Sequence, residues 1–135
     1  MSFNEEKIEE IVRKFYLLAI NDIFLSYQFK KINKNPNKYK ILESDLGDFE
    51  SHLPKVIDFW CVQLIPEYKS KVHRENVLKV HSYLNIHQGE LGRWVLLFKK
   101  CLSDNLKDQD EVSLWSQKVD LFQAKFENYF FNHNS

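Results

Sequence analysis

The sequence is poor in the residues that make tight turns, with three glycines and three prolines among its 135 residues. Hairpin-rich β proteins need many such residues, so this scarcity disfavours them and favours helices. Cysteine is also scarce. Cys61 and Cys101 lie in apolar surroundings without a CxxC pair, and the better interpretation is two buried, reduced thiols.

Neither an excess of charge nor a long apolar run is present. Lys plus Arg and Asp plus Glu each number 19, so no long-range attraction to nucleic acid or to an anionic membrane is expected. The start, "MSFNEEKIEE", is acidic and unlike a signal peptide, and no apolar run approaches the roughly 18 residues of a membrane span. These features predict a soluble protein of a reducing, cytoplasmic compartment, with no nucleic acid and no membrane as partner.

The common catalytic motifs are missing as well. The chain has no GxSxG, HExxH, P-loop or GxGxxG, so hydrolytic and nucleotide chemistry is poorly supported and the sequence leaves open whether the protein is an enzyme. His73, His81 and His87 do not follow a standard zinc spacing.

Aromatic residues are abundant at 15%, eleven of them Phe, and a chain of this length suits one domain with one core, predicted as residues 1–135. Apolar residues recur at helical spacing, as with Ile8, Ile11, Val12, Phe15 and Leu18 in the first helix. The patterns predict four helices, at about Asn4–Ile20, Asp48–Leu64, Gln88–Asn105 and Glu111–Asn132, with a short helix or turn at Asp22–Lys31. The fold class is therefore all-α. Periodicity alone leaves an up-down bundle and a globin-like crossed arrangement open.

Two histidines have informative neighbours. His52 in "HLPKVIDFW" is followed seven and eight residues later by Phe59 and Trp60. Pro54 belongs in a first helical turn, so His52 lies at the start of that helix. His81 lies in the short apolar stretch "VLKVHSYL", thirteen residues before Trp94. Taken singly, each histidine is more simply a surface or core residue.

Four stretches in order, "KFYLLAINDIFLSYQF", "HLPKVIDFW", "VLKVHSYLNI" and "GRWVLLFKKCL", resemble the group III truncated haemoglobins over most of the chain. The resemblance implies a globin-like, shortened two-over-two helical sandwich around haem b, with His81 as the proximal ligand of the iron. The chain departs from the family before His81. It has "SKVHRENVLK" where the family often has a Tyr-x-Gly-type turn.

The resemblance also implies the lining of the pocket. Tyr16, His52 and Trp94 would form the distal ligand pocket, where each can donate a hydrogen bond to a dioxygen ligand that takes up negative charge. His52 could instead swing to solvent and act as a gate. The haem contacts would be His81, Phe29, Phe59, Trp60, Ile86 and Phe98, although the last five would be core residues in any helical protein.

The implied function is the binding of dioxygen and related diatomic ligands. A polar distal pocket is compatible with peroxide reduction, nitric oxide oxidation, storage and sensing, and redox turnover would involve a reductase. The alternatives are a haem-less, globin-like helical interaction module and a generic four-helix bundle.

Overall fold

The computed structural model describes residues 3–26, 28, 52–71 and 86–132, and regular structure within these ranges is helical, without strands. The helices are α1 (Glu5–Ile20), α2 (Leu53–Leu64), α3 (Gln88–Asn105) and α4 (Gln109–Glu127), and a π-helical segment, Asn128–Asn132, follows α4. The chain divides into two compact units, Ser2–Arg74 with α1 and α2, and Glu75–Ser135 with α3 and α4. The single domain over residues 1–135 stays a prediction.

Helix α1 begins where its sequence predicts. The Asn4 side chain accepts a hydrogen bond from the Lys7 N–H at 2.8 Å, and Glu5 and Glu6 occupy the first turn, where negative charge favours the positive helix end. The buried stripe comprises Ile8, Ile11, Val12, Phe15, Tyr16, Ala19 and Ile20. The prediction that Leu18 shares this stripe is wrong. Its side chain is 45% exposed, because the stripe is centred nearer Tyr16 and Ala19.

Helix α2 starts at Leu53, immediately after His52, and has Pro54 in its first turn, as predicted. Proline is tolerated there because the first N–H groups of a helix have no partner within the helix. The predicted extension back to Asp48 lies outside the described residues, which resume at residue 52. Helix α2 packs against α1, so the two helices form the core of the unit Ser2–Arg74.

Helices α3 and α4 pack against each other in the second unit. The bounds of α3 agree with the prediction. Helix α4 starts at Gln109 rather than Glu111, because the Asp108 carboxylate accepts a hydrogen bond from the Asp110 N–H at 2.8 Å and so caps the helix earlier. Its α-helical part ends at Glu127, and the π-helical segment continues to Asn132, where the sequence predicts the end of the helix.

Other predicted elements lie partly or wholly outside the described residues. Within Asp22–Lys31, the Ser26 N–H donates to the Asp22 carbonyl at 2.8 Å, which is one helical turn. Most of the remainder of that range, and the whole of "VLKVHSYL", lie outside the described residues. Within the described ranges, no helix combines the length and the apolar character needed to cross a membrane.

Candidate functional site

The unit Ser2–Arg74 brings two of the predicted distal residues together. Tyr16 is buried on α1, and His52 is half-buried immediately before α2. Their ring centroids are 5.9 Å apart with a tilt of 47°. His52 does not cap α2 with its side chain, and its ring packs on the phenol ring instead. The resemblance implies that both residues belong to the distal pocket, and that role stays a prediction.

Helix α2 presents two different faces. Its buried face consists of Leu53, Ile57, Asp58, Trp60, Cys61 and Leu64. Beside it runs a half-buried row, His52, Val56, Phe59 and Gln63, whose members recur every three or four residues. Phe59 and Trp60 touch edge-to-face, with ring centroids 5.0 Å apart, but Trp60 belongs to the core and Phe59 to the row. The row offers an apolar surface with a polar residue at each end.

The unit Glu75–Ser135 holds the third predicted distal residue. Trp94 is half-buried on α3, and its ring lies 5.2 Å from Phe98 and 5.6 Å from Phe122 of α4. Phe98 is buried and also contacts Trp115, with centroids 5.7 Å apart. Phe98 therefore has a core role between α3 and α4, and its predicted haem contact stays a prediction.

Of the remaining predicted site residues, the structure describes Ile86. Phe29 and His81 lie outside the described residues, and Ile86 is half-buried two residues before α3 begins. In the described ranges, no three His, Cys, Asp or Glu side chains lie close enough to hold a metal ion. His81, the predicted iron ligand, lies outside those ranges, and its role stays a prediction.

A buried carboxylate, Asp58, escaped the sequence analysis. Its side chain accepts hydrogen bonds from the Ser70 hydroxyl at 2.6 Å and from the Lys71 N–H at 2.8 Å, although the residue is only 4% exposed. Burying a carboxylate is costly unless donors replace its water, and these two donors do so. They also attach the segment after α2 to the helix. An acid inside the apolar run "VIDFW" was the signal in the sequence.

Further contacts surround this carboxylate. The Lys71 ammonium pairs with Glu5 at 2.8 Å, which attaches the same segment to the start of α1 and raises the pKa of Lys71. Between α2 and this anchor, Glu67 adopts a left-handed φ of 63°, a conformation that costs energy for a residue with a side chain. The chain then reaches Ser70 and Lys71, the two residues that bond to Asp58.

Cys61 and Tyr68 lie in the same cluster. Burial, reinforced by the negative charges of Glu5 and Asp58, raises the pKa of the Cys61 thiol to about 11. Burial also raises the pKa of the Tyr68 phenol to about 12, with further contributions from Cys61 and from a hydrogen bond to Asp58. Both groups therefore stay protonated at neutral pH, and the thiol is a poor nucleophile. Cys61 and Cys101 are both free and buried, as predicted.

The fold has a known counterpart. The chain is similar in structure to a group III truncated haemoglobin from Campylobacter jejuni, with a TM-score of 0.75, 23% sequence identity and 98% of each chain covered. The match confirms the predicted all-α, globin-like, two-over-two fold and supports the resemblance at the level of the fold. No protein-family model matches the sequence, and no curated protein does either.

Proposed function

We propose that this protein is a haem-binding globin that takes dioxygen and related diatomic molecules as ligands. The observation that carries the proposal is the contact of Tyr16 with His52, 5.9 Å between ring centroids, beside the half-buried row of α2. These side chains occur in a chain whose fold is that of a truncated haemoglobin. Two rings with polar tips, next to an apolar row, are the components that a distal haem pocket requires.

The chemistry of the residues fits haem b. The porphyrin is a large apolar disc, and Val56 and Phe59 of the half-buried row can cover part of such a surface. Its iron takes a neutral imidazole nitrogen, for which His81 is the proposed ligand. The further contacts that we propose are Phe29, Trp60, Ile86 and Phe98. When bound, haem supplies an iron centre that can take a diatomic ligand.

The protein's own contribution is a set of hydrogen-bond donors. The Tyr16 hydroxyl, the His52 imidazole and the Trp94 indole N–H can each donate to a ligand that takes up negative charge. Tyr16 is buried, and a donor in a water-poor environment is stronger than the same donor in water. Such donors slow the release of the ligand, which favours retention or activation over rapid delivery.

Redox chemistry is the proposed extension of this function. Hydrogen-bond donors that stabilise a bound diatomic ligand also suit the reduction of peroxide or the oxidation of nitric oxide. Both reactions need electrons to restore the starting state. A reductase is therefore the proposed protein partner, and a reducing, cytoplasmic location is the proposed setting.

Reconstitution with haem tests the proposal directly. Purified protein is mixed with haem b, and visible spectra are recorded for wild type, His81→Ala and His87→Ala. His87 is an exposed histidine before α3 and serves as the matched control. We expect an intense Soret band in wild type and in the control, and an altered band in His81→Ala. A wild type without a Soret band, or a band unchanged by His81→Ala, would refute haem binding through this residue.

A haem-less interaction module is the second candidate. It is favoured by two apolar residues after α1, Ile23 and Phe24, which are 82% and 60% exposed. Adjacent exposed apolar side chains can form part of a larger apolar patch of the kind that contacts a partner. Protein that stays colourless after the addition of haem, and that retains one defined partner through Ile23 and Phe24, would support this candidate over the first.

A further inference from the structure

We propose that Phe122 is a positioning residue that orients the Trp94 indole toward the ligand. This inference rests on the proposed function, in which Trp94 is a distal hydrogen-bond donor. Among the described residues, the Trp94 ring contacts Phe98 at 5.2 Å with a tilt of 46° and Phe122 at 5.6 Å with a tilt of 42°. Tilted ring pairs at such distances are favourable beyond the area that they bury.

The two contacts differ in origin. Phe98 lies four residues after Trp94 on the same helix, so it is a neighbour that α3 itself supplies. Phe122 belongs to α4, and its contact exists only when α4 packs on α3. Phe122 therefore restricts the indole from a second direction, and the tertiary fold determines which rotamers Trp94 can adopt.

Phe122 is itself held in place along α4. Its ring lies 5.8 Å from Phe126, which is buried, and Phe126 lies 4.5 Å from Phe130 in the π-helical segment. These three residues recur every four positions and form one row of ring contacts along the helix. A ring supported in this way resists displacement better than an isolated surface phenylalanine.

Orientation matters because a hydrogen bond weakens steeply when its donor turns away from the acceptor. Trp94 is half-buried, and we expect loss of the Phe122 ring to relax the restriction that this ring places on the indole. Phe122→Leu should therefore speed dioxygen dissociation about three- to tenfold, an effect comparable to the loss of one hydrogen bond. Phe122 would act through Trp94 without touching the ligand.

The experiment is a double-mutant cycle on protein reconstituted with haem. Stopped-flow dioxygen dissociation is measured for wild type, Trp94→Phe, Phe122→Leu and the double variant. Leu121→Ala serves as the control, since Leu121 is the exposed neighbour on α4. We expect the double variant to be no faster than Trp94→Phe alone, because Phe122 should have no effect without the indole. Additive effects would overturn the inference.

Two further measurements separate orientation from general damage. Phe122→Tyr keeps the ring and should restore the wild-type rate. The C–O stretching frequency of added carbon monoxide should move in the same direction in Phe122→Leu as in Trp94→Phe, and stay unchanged in Leu121→Ala. A Phe122→Tyr variant as fast as Phe122→Leu would show that the ring contact is not responsible and would overturn the inference.

A readout without haem keeps this inference distinct from the proposed function. In the apoprotein, nuclear magnetic relaxation of the indole N–H, assigned by its loss in Trp94→Phe, should show greater mobility in Phe122→Leu than in wild type. An equally rigid indole in both proteins would overturn the inference even if haem binds. Failure of wild type to bind haem would refute the proposed function, whereas this mobility measurement would still test the contact.

Discussion

The two compact units hold their candidate functional side chains by different interactions. In Ser2–Arg74, the rings of Tyr16 and His52 are in contact, and each side chain carries a polar group. The segment after α2 is attached to this unit by hydrogen bonds to the buried Asp58. In Glu75–Ser135, Trp94 is held by the rings of Phe98 and Phe122. Hydrogen bonds are directional and depend on protonation, whereas ring packing depends on volume and shape.

This difference predicts which substitutions should destabilise each unit. Ser2–Arg74 should respond to substitutions that preserve shape but alter charge or hydrogen bonding, and to pH. Glu75–Ser135 should tolerate such changes and respond to lost volume. The largest expected effect therefore comes from the buried ring at the centre of the second unit.

Trp115→Ala should lower the free energy of unfolding by about 3–5 kcal/mol, because it removes a fully buried ring that packs on Phe98. Urea denaturation measures the change. The control, Leu121→Ala on an exposed position of α4, should change stability by less than about 0.5 kcal/mol. A loss in Trp115→Ala as small as that of the control would mean that ring packing does not dominate this unit.

Asp58→Asn should destabilise the protein by about 1.5–3 kcal/mol, because the amide is a weaker acceptor and places an additional buried donor beside Ser70. Asp104→Asn is the matched control, since Asp104 forms an exposed ion pair with Lys100 at 2.8 Å, worth less than about 0.5 kcal/mol. Urea denaturation and hydrogen exchange at the Lys71 amide measure both variants. Equal effects would contradict a special role for the buried carboxylate.

Tyr16→Phe keeps the ring that packs on His52 but removes the hydroxyl donor. If the proposed function holds, dioxygen should dissociate about tenfold faster, which corresponds to about 1.4 kcal/mol. Stopped-flow kinetics of the reconstituted protein measures the rate. Tyr129→Phe, at an exposed tyrosine, should have no effect. A wild-type rate in Tyr16→Phe would remove the phenol from the set of donors.

Alkaline pH should weaken Ser2–Arg74 through its buried thiol. The pKa of Cys61 is raised by burial from an ordinary 9.0 to about 11 in the folded protein. Below about pH 8 the thiol is almost fully protonated in both states, so it causes almost no pH dependence. Between about pH 9 and 11 the unfolded chain loses this proton more readily, so stability falls as pH rises. Denaturation midpoints measured over this range should fall less in Cys61→Ala. Identical slopes would contradict the raised pKa.

Some of the fold was predictable because its signals are local. Asn4 caps α1, Pro54 occupies the first turn of α2, and the bounds of α3 agree with the prediction. Caps and helical periodicity act over a few residues, so they can be recognised in the sequence alone. The error at Leu18 shows the limit, since periodicity identifies a stripe but not the position of its centre.

The candidate site was predictable only in part. The resemblance implies that Tyr16 and His52 belong to one distal pocket. The structure shows that their rings are in contact, and the pocket itself stays a prediction. Asp58 and Phe122 were missed, although both belong to predicted helices. The partners of Asp58 are twelve and thirteen residues away, and the partner of Phe122 is on another helix. The sequence alone does not show which of these residues come into contact.

The sequence by itself therefore determined the helical class of the chain, the start of α1, the bounds of α3 and the types of side chain available to the proposed haem site. Only the tertiary structure decided that α2 divides into a core face and a half-buried row, that Asp58 holds residues 70 and 71, and that Phe122 lies against Trp94. The physical reason is the separation in sequence of the residues that interact. Hydrogen-bond geometry and ring packing between distant residues depend on where whole helices lie, whereas caps and periodicity depend on adjacent residues.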